Sequence, residues 1–178
     1  MKTGKRNHKS NNITKNLFLL LSKNLLLVFL VILIMNGLFA CKQKPFYESS
    51  IEIPGSVWES NKAATFKFSV TDTLQMYDIS IMLSNSNSYR NSNIWLFVRT
   101  HTLNNTVAND TLEYTLANEK GKWLGDKDSD MWYNSLVYKS KIRFPQKGDY
   151  TIEIMQGMRD LKLKGINQVG LKINKAKL

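Results

Sequence analysis

The position of the only cysteine, Cys41, limits which part of this chain can belong to a folded domain. Residues 1–24 contain six basic residues and no acidic residue, and residues 25–35 form an uninterrupted apolar run of 11 residues. A helix of that length spans about 16 Å, roughly half of a hydrocarbon core, which suits a signal peptide better than a membrane span. Asn36-Gly37 ends the run, and the small residue Ala40 directly precedes Cys41. The arrangement predicts a bacterial lipoprotein signal peptide, residues 1–40, with lipid attached to Cys41.

Two other interpretations of this region stay open. In one, residues 17–21 join the apolar run as an uncleaved transmembrane anchor, which would bury Lys23 in the membrane at a cost of a few kcal/mol. In the other, Cys41 is an ordinary core residue.

Removal of the signal peptide would change both the length and the net charge of the chain. The mature chain has 138 residues, enough for one domain with a single core. Its 19 basic and 14 acidic residues give a net charge of +5, compared with +11 for the whole chain, so the charge does not indicate a nucleic-acid partner. The lipid on Cys41 leaves no thiol for a disulfide. We expect a polar tether over residues 41–52 and a folded domain over residues 53–178.

The domain reads as a series of short strands. Apolar side chains alternate with polar ones along Ala64–Val70 and Tyr77–Leu83, as is typical of strands with one buried face. Further strands are predicted at Asn93–Thr102, Asp110–Leu116, Leu136–Phe144, Tyr150–Met155 and Val169–Ile173, separated by Asn-, Ser- and Gly-rich turns. Only Met155–Leu163 offers a turn or two of helix. The pattern predicts an all-β, antiparallel β-sandwich, jelly-roll-like in topology.

The search for catalytic or metal-binding residues yields weak candidates. His101 is the only histidine of the mature chain, and no serine partner for nucleophilic catalysis is recognisable. Asp126, Asp128 and Asp130 alternate as calcium ligands do, but Met131 replaces the turn glycine and Val137 the final glutamate of such a loop. We therefore interpret them as a solvated acidic loop and expect no catalytic residue, no metal and no cofactor. Paired carboxylates of a glycoside hydrolase leave no spacing signal and stay open.

Aromatic residues are the more suggestive feature. The mature chain contains four tryptophans, Trp58, Trp95, Trp123 and Trp132. Burial in the sandwich core is the ordinary explanation for each. Trp123 and Trp132 flank a polar, Gly-containing loop, so we single them out as candidate contacts for a partner protein or a glycan.

Several segments, taken in order, resemble the gliding motility lipoprotein H (GldH) family of Bacteroidetes. Order and spacing carry the resemblance, which extends from about Trp58 to Ile173. The matching segments are Phe68–Leu74, Tyr89–Trp95, Asn109–Leu112, Gly121–Gly125, Phe144–Tyr150, Met158-Arg159 and Gly165–Gly170.

The resemblance implies an outer-membrane lipoprotein of the gliding apparatus, linked to type IX secretion and without known catalytic activity. Its partners would be the membrane, through the lipid anchor, and other gliding or type IX secretion proteins. Lys42 follows the cysteine with no acidic run, which resembles lipoproteins that face the periplasm. A non-enzymatic assembly or stability factor is the first hypothesis. A carbohydrate-binding envelope lipoprotein, or a hydrolase derived from one, is the alternative.

Two copies of the tripeptide Asp-Thr-Leu, at residues 72–74 and 110–112, have two interpretations. Asp and Thr can cap backbone amides at a strand end while Leu points into the core. Alternatively, Thr73 and Thr111 are acceptors for O-glycosylation, because Asp-Thr before an apolar residue resembles the acceptor sequence of periplasmic O-glycosylation in Bacteroidetes. The two interpretations are compatible.

Overall fold

A computed structural model of the chain describes residues 44–102 and 106–177. The predicted signal peptide and Cys41 lie outside the described residues. The described part contains eleven strands and one short 3-10 turn at Pro54–Ser56. The strands are β1 (Tyr47–Glu52), β2 (Val57–Glu59), β3 (Ala64–Val70), β4 (Tyr77–Ser86), β5 (Asn93–Thr102), β6 (Thr106–Thr115), β7 (Asp126–Asp128), β8 (Met131–Ile142), β9 (Gly148–Gln156), β10 (Lys162–Lys164) and β11 (Ile166–Lys175).

The strands form two main antiparallel sheets. One has the order β1-β11-β4-β8-β7 and the other the order β3-β9-β5-β6, while β2 and β10 make a separate two-stranded ribbon. The eight long strands, which exclude β2, β7 and β10, can be counted from first to eighth in chain order. In the sheet that contains β1 their order is first, eighth, third, sixth, and in the sheet that contains β3 it is second, seventh, fourth, fifth. This is the double Greek key of a jelly roll, so the predicted fold class is confirmed.

The alternation of side chains explains why these segments are strands. In β3 every second residue from Ala64 to Val70 is buried and the others are exposed. The predicted bounds of β3 and β5 are those observed, and the other five predicted strands are found within longer observed ones, apart from the last residues of two of them. No helix in the described part of the chain is long and apolar enough to cross a membrane.

Three expectations about local structure are wrong. Residues 47–52, assigned to the tether, form β1, which pairs with β11 along its whole length. Its polar residues face solvent, while Tyr47 and Ile51 pack against the core. Because most of its residues are polar, the sequence of this strand resembles that of a linker. Met155–Leu163 contains no helix, because β9 continues to Gln156 and β10 begins at Lys162. Part of the predicted acidic loop is strand β7, which forms a hairpin with β8.

A cluster of aromatic rings fills one end of the core. Phe68 lies at its centre, stacked on Tyr150 at a centroid distance of 5.9 Å and edge-on to Phe144 at 5.5 Å. Phe46, from the segment that leads into β1, lies 4.9 Å from Tyr77 and 6.4 Å from Phe68. The cluster therefore joins both sheets to the start of the described chain. We call this set the Phe68 cluster; its members are Phe46, Tyr47, Phe68, Tyr77, Phe144 and Tyr150.

We predict that Phe68→Ala lowers the free energy of unfolding by about 3–5 kcal/mol, because it leaves a cavity among packed rings. Phe97→Ala is the matched control, since Phe97 is 43% exposed and Phe68 only 8%. The control should cost about 1 kcal/mol or less. Urea unfolding of the Cys41→Ser mature chain measures both. Equal costs for the two variants would contradict the described core.

Candidate functional site

The outer face of the four-stranded sheet carries an exposed aromatic surface. Along β5 the side chains of Leu96 and Val98 are completely buried between the sheets. The alternate residues must therefore point outward, and Trp95 and Phe97 are 39% and 43% exposed. Two large aromatic side chains, two residues apart in the sequence, thus lie on the solvent-facing side of β5.

The neighbouring strands extend this surface. Phe97 is paired with Thr111 of β6 on one side and with Met155 of β9 on the other. Trp95 is paired with Glu113. Directly paired side chains on one face of a sheet lie close enough to touch. We call the surface formed by Trp95, Phe97, Thr111, Glu113 and Met155 the Trp95–Phe97 face.

Gly157 lies directly against the ring of Phe97. A Cβ atom at Gly157 would lie 3.1 Å from the ring of Phe97 and 3.3 Å from the Cβ of Trp95. The Gly157 amide also donates to the Trp95 carbonyl at 2.7 Å. The absence of a side chain at this position leaves room for the Phe97 ring to lie against the backbone.

Charged and amide groups surround the aromatic centre. Arg99 is paired with Glu153 across β9, and Glu153 Oε2 lies 3.3 Å from His101 Nε2. Asn93 Nδ2 donates to Glu113 Oε1 at 2.6 Å. An aromatic and methionine centre with a polar rim of both charges is the composition typical of protein–protein interfaces.

The tryptophans selected from the sequence have other environments. Trp123 is half-buried and packs 6.2 Å from the Tyr89 ring. Trp132 is also half-buried, donates through Nε1 to Asn87 at 3.1 Å, and is covered by Lys127 at 5.5 Å. Sequence reasoning missed Trp95 and Phe97 as exposed residues. The sequence did contain a sign of their exposure. Trp95 and Phe97 alternate with buried residues and lie on the same side of β5 as the charged residue Arg99.

The two candidate threonines lie in different settings. Thr73 is half-buried in the turn between β3 and β4, where Asp72 Oδ1 accepts from the Leu74 amide at 2.8 Å. Leu74 itself is 80% exposed, so the expectation that it points into the core is wrong. Thr111 lies inside β6 and not at a strand end, exposed beside Phe97.

The remaining polar candidates form no metal-binding cluster within the described residues. The side chains of Asp126, Asp128 and Asp130 are exposed on the β7–β8 hairpin. Within residues 44–102 and 106–177 no cluster of three or more His, Cys, Asp or Glu side chains could hold a metal ion. His101 is half-buried and lies beside Glu153, at the rim of the Trp95–Phe97 face.

Asp110 connects the two sheets behind this face. Its Oδ2 accepts a hydrogen bond from the Tyr138 hydroxyl at 2.6 Å and lies 3.0 Å from Lys139 Nζ. Tyr138 and Lys139 belong to β8 of the other sheet. The hydrogen bond from Tyr138, helped by Lys139, holds the pKa of Asp110 below its ordinary value, although partial burial opposes the shift. Burial and the Asp110 carboxylate together raise the pKa of Tyr138.

Comparison with known proteins gives one consistent family. The model of the family described as GldH lipoprotein matches residues 45–173. A gliding motility lipoprotein GldH homologue of Christiangramia forsetii is 31% identical over 156 residues, covering 84% of this chain and 95% of the relative. The gliding motility lipoprotein GldH of Flavobacterium johnsoniae is 32% identical over 143 residues, covering 76% and 88%. Among solved structures, a chain of the infectious bursal disease virus Gx strain has a TM-score of 0.32 at 12% identity, covering 74% of this chain and 30% of the viral chain.

We predict that Asp110→Asn destabilises the domain by about 1 kcal/mol at pH 7, through loss of a charge-assisted hydrogen bond and a partly exposed, screened ion pair. The folded pKa of Asp110 lies below the unfolded value, so the carboxylate contributes stability above about pH 4. That contribution is lost as the pH falls through the folded pKa. The difference between wild type and variant should therefore shrink as the pH falls below about 4.

Urea unfolding at pH 7 and pH 3 measures the effect. Asp130→Asn, at the exposed tip of the β7–β8 hairpin, removes the same charge and should change stability by less than about 0.5 kcal/mol. An Asp110→Asn effect that is independent of pH would contradict the assigned role.

Proposed function

Because the chain belongs to the GldH family of gliding motility lipoproteins, we propose that it is a non-enzymatic assembly or stability factor of the gliding apparatus. It would act by binding partner proteins through the Trp95–Phe97 face, while a lipid at Cys41 holds it in the envelope. The two curated relatives carry the gliding motility name, and both are covered over most of their length.

The exposed aromatic centre is the observation that carries this proposal. Trp95 and Phe97 expose 39% and 43% of their surface, although the inner positions of β5 bury their side chains completely. Exposed aromatic side chains grouped with methionine and rimmed by charges mark interaction surfaces, and removal of water from such groups supplies binding energy.

The proposal also covers where the protein lies in the cell envelope and with which proteins it works. We infer that Cys41 is acylated and that the protein is attached to the outer membrane, facing the periplasm. Lys42 with no following acidic run supports retention in the periplasm. The partners would be gliding or type IX secretion proteins, as the family resemblance implies.

Glycan binding is the second candidate, and it concerns the same face. A partly exposed tryptophan on a flat sheet offers a stacking surface for a sugar ring, and Asn93 and Glu113 lie beside it. We favour a protein partner, because Phe97 and Met155 extend the apolar centre and because the Asn93 amide already donates to Glu113.

We keep O-glycosylation of Thr73 and Thr111 as a proposal. A glycan on Thr111 would stand beside Phe97 and cover the face that binds the partner. Thr73 lies in a turn away from this face, between β3 and β4. A glycan there would leave the Trp95–Phe97 face free but would stand beside the exposed Leu74.

We predict that the double substitution Trp95→Ala with Phe97→Ala weakens partner binding about 30-fold or more, as loss of central aromatic residues does in protein interfaces. Affinity purification of the lipoprotein from its native host should then lose specific partners, and colonies should stop spreading. Tyr133→Ala with Val137→Ser is the matched control on the other sheet, where the side chains are 42% and 66% exposed. The control should retain both partners and spreading.

The folding of both variants is checked by their unfolding midpoints. Unchanged partners and spreading in a folded Trp95/Phe97 variant would reject this face as the protein interface. Binding to envelope glycans that is lost only in this variant would favour the second candidate.

Intact-mass measurement of the protein from its native host tests the covalent proposals. We expect a chain beginning at Cys41 with at least two acyl chains, because a single chain gives only marginal membrane binding. An additional mass that disappears in Thr73→Ala but persists in Thr111→Ala would locate the glycan. A chain that keeps residues 1–40 would contradict the lipoprotein assignment. A mass equal to that of the acylated chain alone would exclude glycosylation.

A further inference from the structure

The tether between the anchor and the folded domain is short. Phe46 packs against Tyr77 and Phe68, so the chain is fixed to the core from this residue onward. Only five residue steps separate Phe46 from Cys41. A fully extended chain covers at most about 18 Å over that distance. An acylated Cys41 therefore keeps one end of the domain near the lipid headgroups.

The strand register identifies which end this is. β1 starts at Tyr47, opposite Ile173 near the end of β11, and β4 starts at Tyr77, opposite Ile142 at the end of β8. β3 ends opposite the start of β9, where Val70 pairs with Gly148. The entry of the chain, the β3–β4 turn, the β8–β9 turn and the C-terminal residues thus lie at one end of the sandwich. We call it the anchor end.

The chemistry of the anchor end suits an anionic surface. This end carries six exposed basic residues and only three acidic ones. The acidic residues accept hydrogen bonds from neighbouring groups of the domain. Leu74, at the β3–β4 turn, is 80% exposed at the same end. The basic residues are Lys44, Lys141, Arg143, Lys147, Lys175 and Lys177, and the acidic ones are Asp72, Asp78 and Asp149.

We infer that the anchor end is a second membrane contact, at which these basic side chains bind anionic lipid phosphates and Leu74 enters the headgroup boundary. The inference rests on the proposed acylation of Cys41. The tether keeps the anchor end at high local concentration near the headgroups, so weak individual contacts suffice. Each cation near an anionic surface favours the bound orientation about fivefold.

This orientation sets the position of the Trp95–Phe97 face. β5 runs from the far end towards the anchor end, since Thr102 pairs with Tyr150 near the start of β9. Its ten residues span about 33 Å. With the anchor end on the membrane, Trp95 and Phe97 lie in the half of the sheet farther from the lipid. A partner would then bind the side of the domain, clear of the headgroups.

Two exposed leucines allow a matched test in the acylated protein. Leu74 at the anchor end and Leu161 next to β10 at the far end are 80% and 77% exposed. Because Cys41 is the only cysteine and its thiol carries lipid, Leu74→Cys and Leu161→Cys each introduce a single free thiol. Each is labelled with bimane maleimide and inserted into phosphatidylcholine vesicles with or without phosphatidylglycerol. A spin-labelled headgroup lipid quenches any probe at the surface.

We expect strong quenching at position 74 in anionic vesicles and little at position 161. High salt and neutral vesicles should both reduce quenching at position 74. Substitution of Lys141, Lys147 and Lys175 by Gln should lower the ratio of quenched to unquenched protein at least tenfold, because three cations are lost. The control substitution of Lys120, Lys162 and Lys164 by Gln should leave it unchanged.

Equal quenching at the two positions, stronger quenching at position 161, or quenching at position 74 that ignores lipid charge would overturn the inference. Intact mass and flotation with the vesicles report acylation separately. A protein without acyl chains would overturn the anchor and this inference together. An acylated protein that floats but shows no quenching at position 74 would overturn this inference alone.

Discussion

Contact among the rings of the Phe68 cluster is the interaction on which the rest of the structure depends. The chain has one cysteine, so no disulfide can link its two sheets, and the described residues contain no metal cluster that could. Phe68 comes from one sheet and Tyr77 from the other, and Phe144 lies within 5.5 Å of both ring centroids. Aromatic pairs of this kind contribute about 0.5–1.5 kcal/mol each beyond the burial of apolar surface. The cluster also includes Phe46, which makes the entry of the chain part of the core.

The filled core determines what the outer faces can do. Since every inner position of β5 from Ile94 to Val98 is buried, the outer positions are free of structural demands. Trp95 and Phe97 occupy such positions, and their exposure is compatible with a stable domain because the inner apolar residues supply the driving force for folding. The Asp110–Tyr138 hydrogen bond then ties β6 to β8 and keeps the sheet behind the face in place. The exposed aromatic face and the folding core are thus separate sets of residues on the same strands.

Much of the fold follows from the sequence because alternation has a direct physical cause. Phe66, Phe68 and Val70 alternate with polar residues, and the structure buries the apolar residues as predicted. β1 was missed because its outward residues, Glu48, Ser49 and Ser50, make it resemble a polar linker, and its partner β11 lies more than a hundred residues away. Such pairing leaves no local signal.

The candidate site was harder to predict, because exposure of an aromatic residue depends on tertiary packing. Trp123 lies in a loop and yet packs on Tyr89, whereas Trp95 lies in a regular strand and faces solvent. Leu74 illustrates the same limit, since the turn centred on Asp72 directs it outward. Composition identifies the residue types of an interface, but only the register of β5, β6 and β9 brings Phe97, Thr111 and Met155 together.

Site-specific photo-crosslinking in the native host tests directly whether partner proteins bind the Trp95–Phe97 face. A photoreactive phenylalanine analogue replaces Phe97 on the four-stranded sheet or, in a separate strain, Tyr133 on the other sheet. Both residues are aromatic and similarly exposed, at 43% and 42%. We expect discrete protein adducts from position 97 and none from position 133. Adducts from position 133 alone, or glycan adducts in place of protein at position 97, would contradict this expectation.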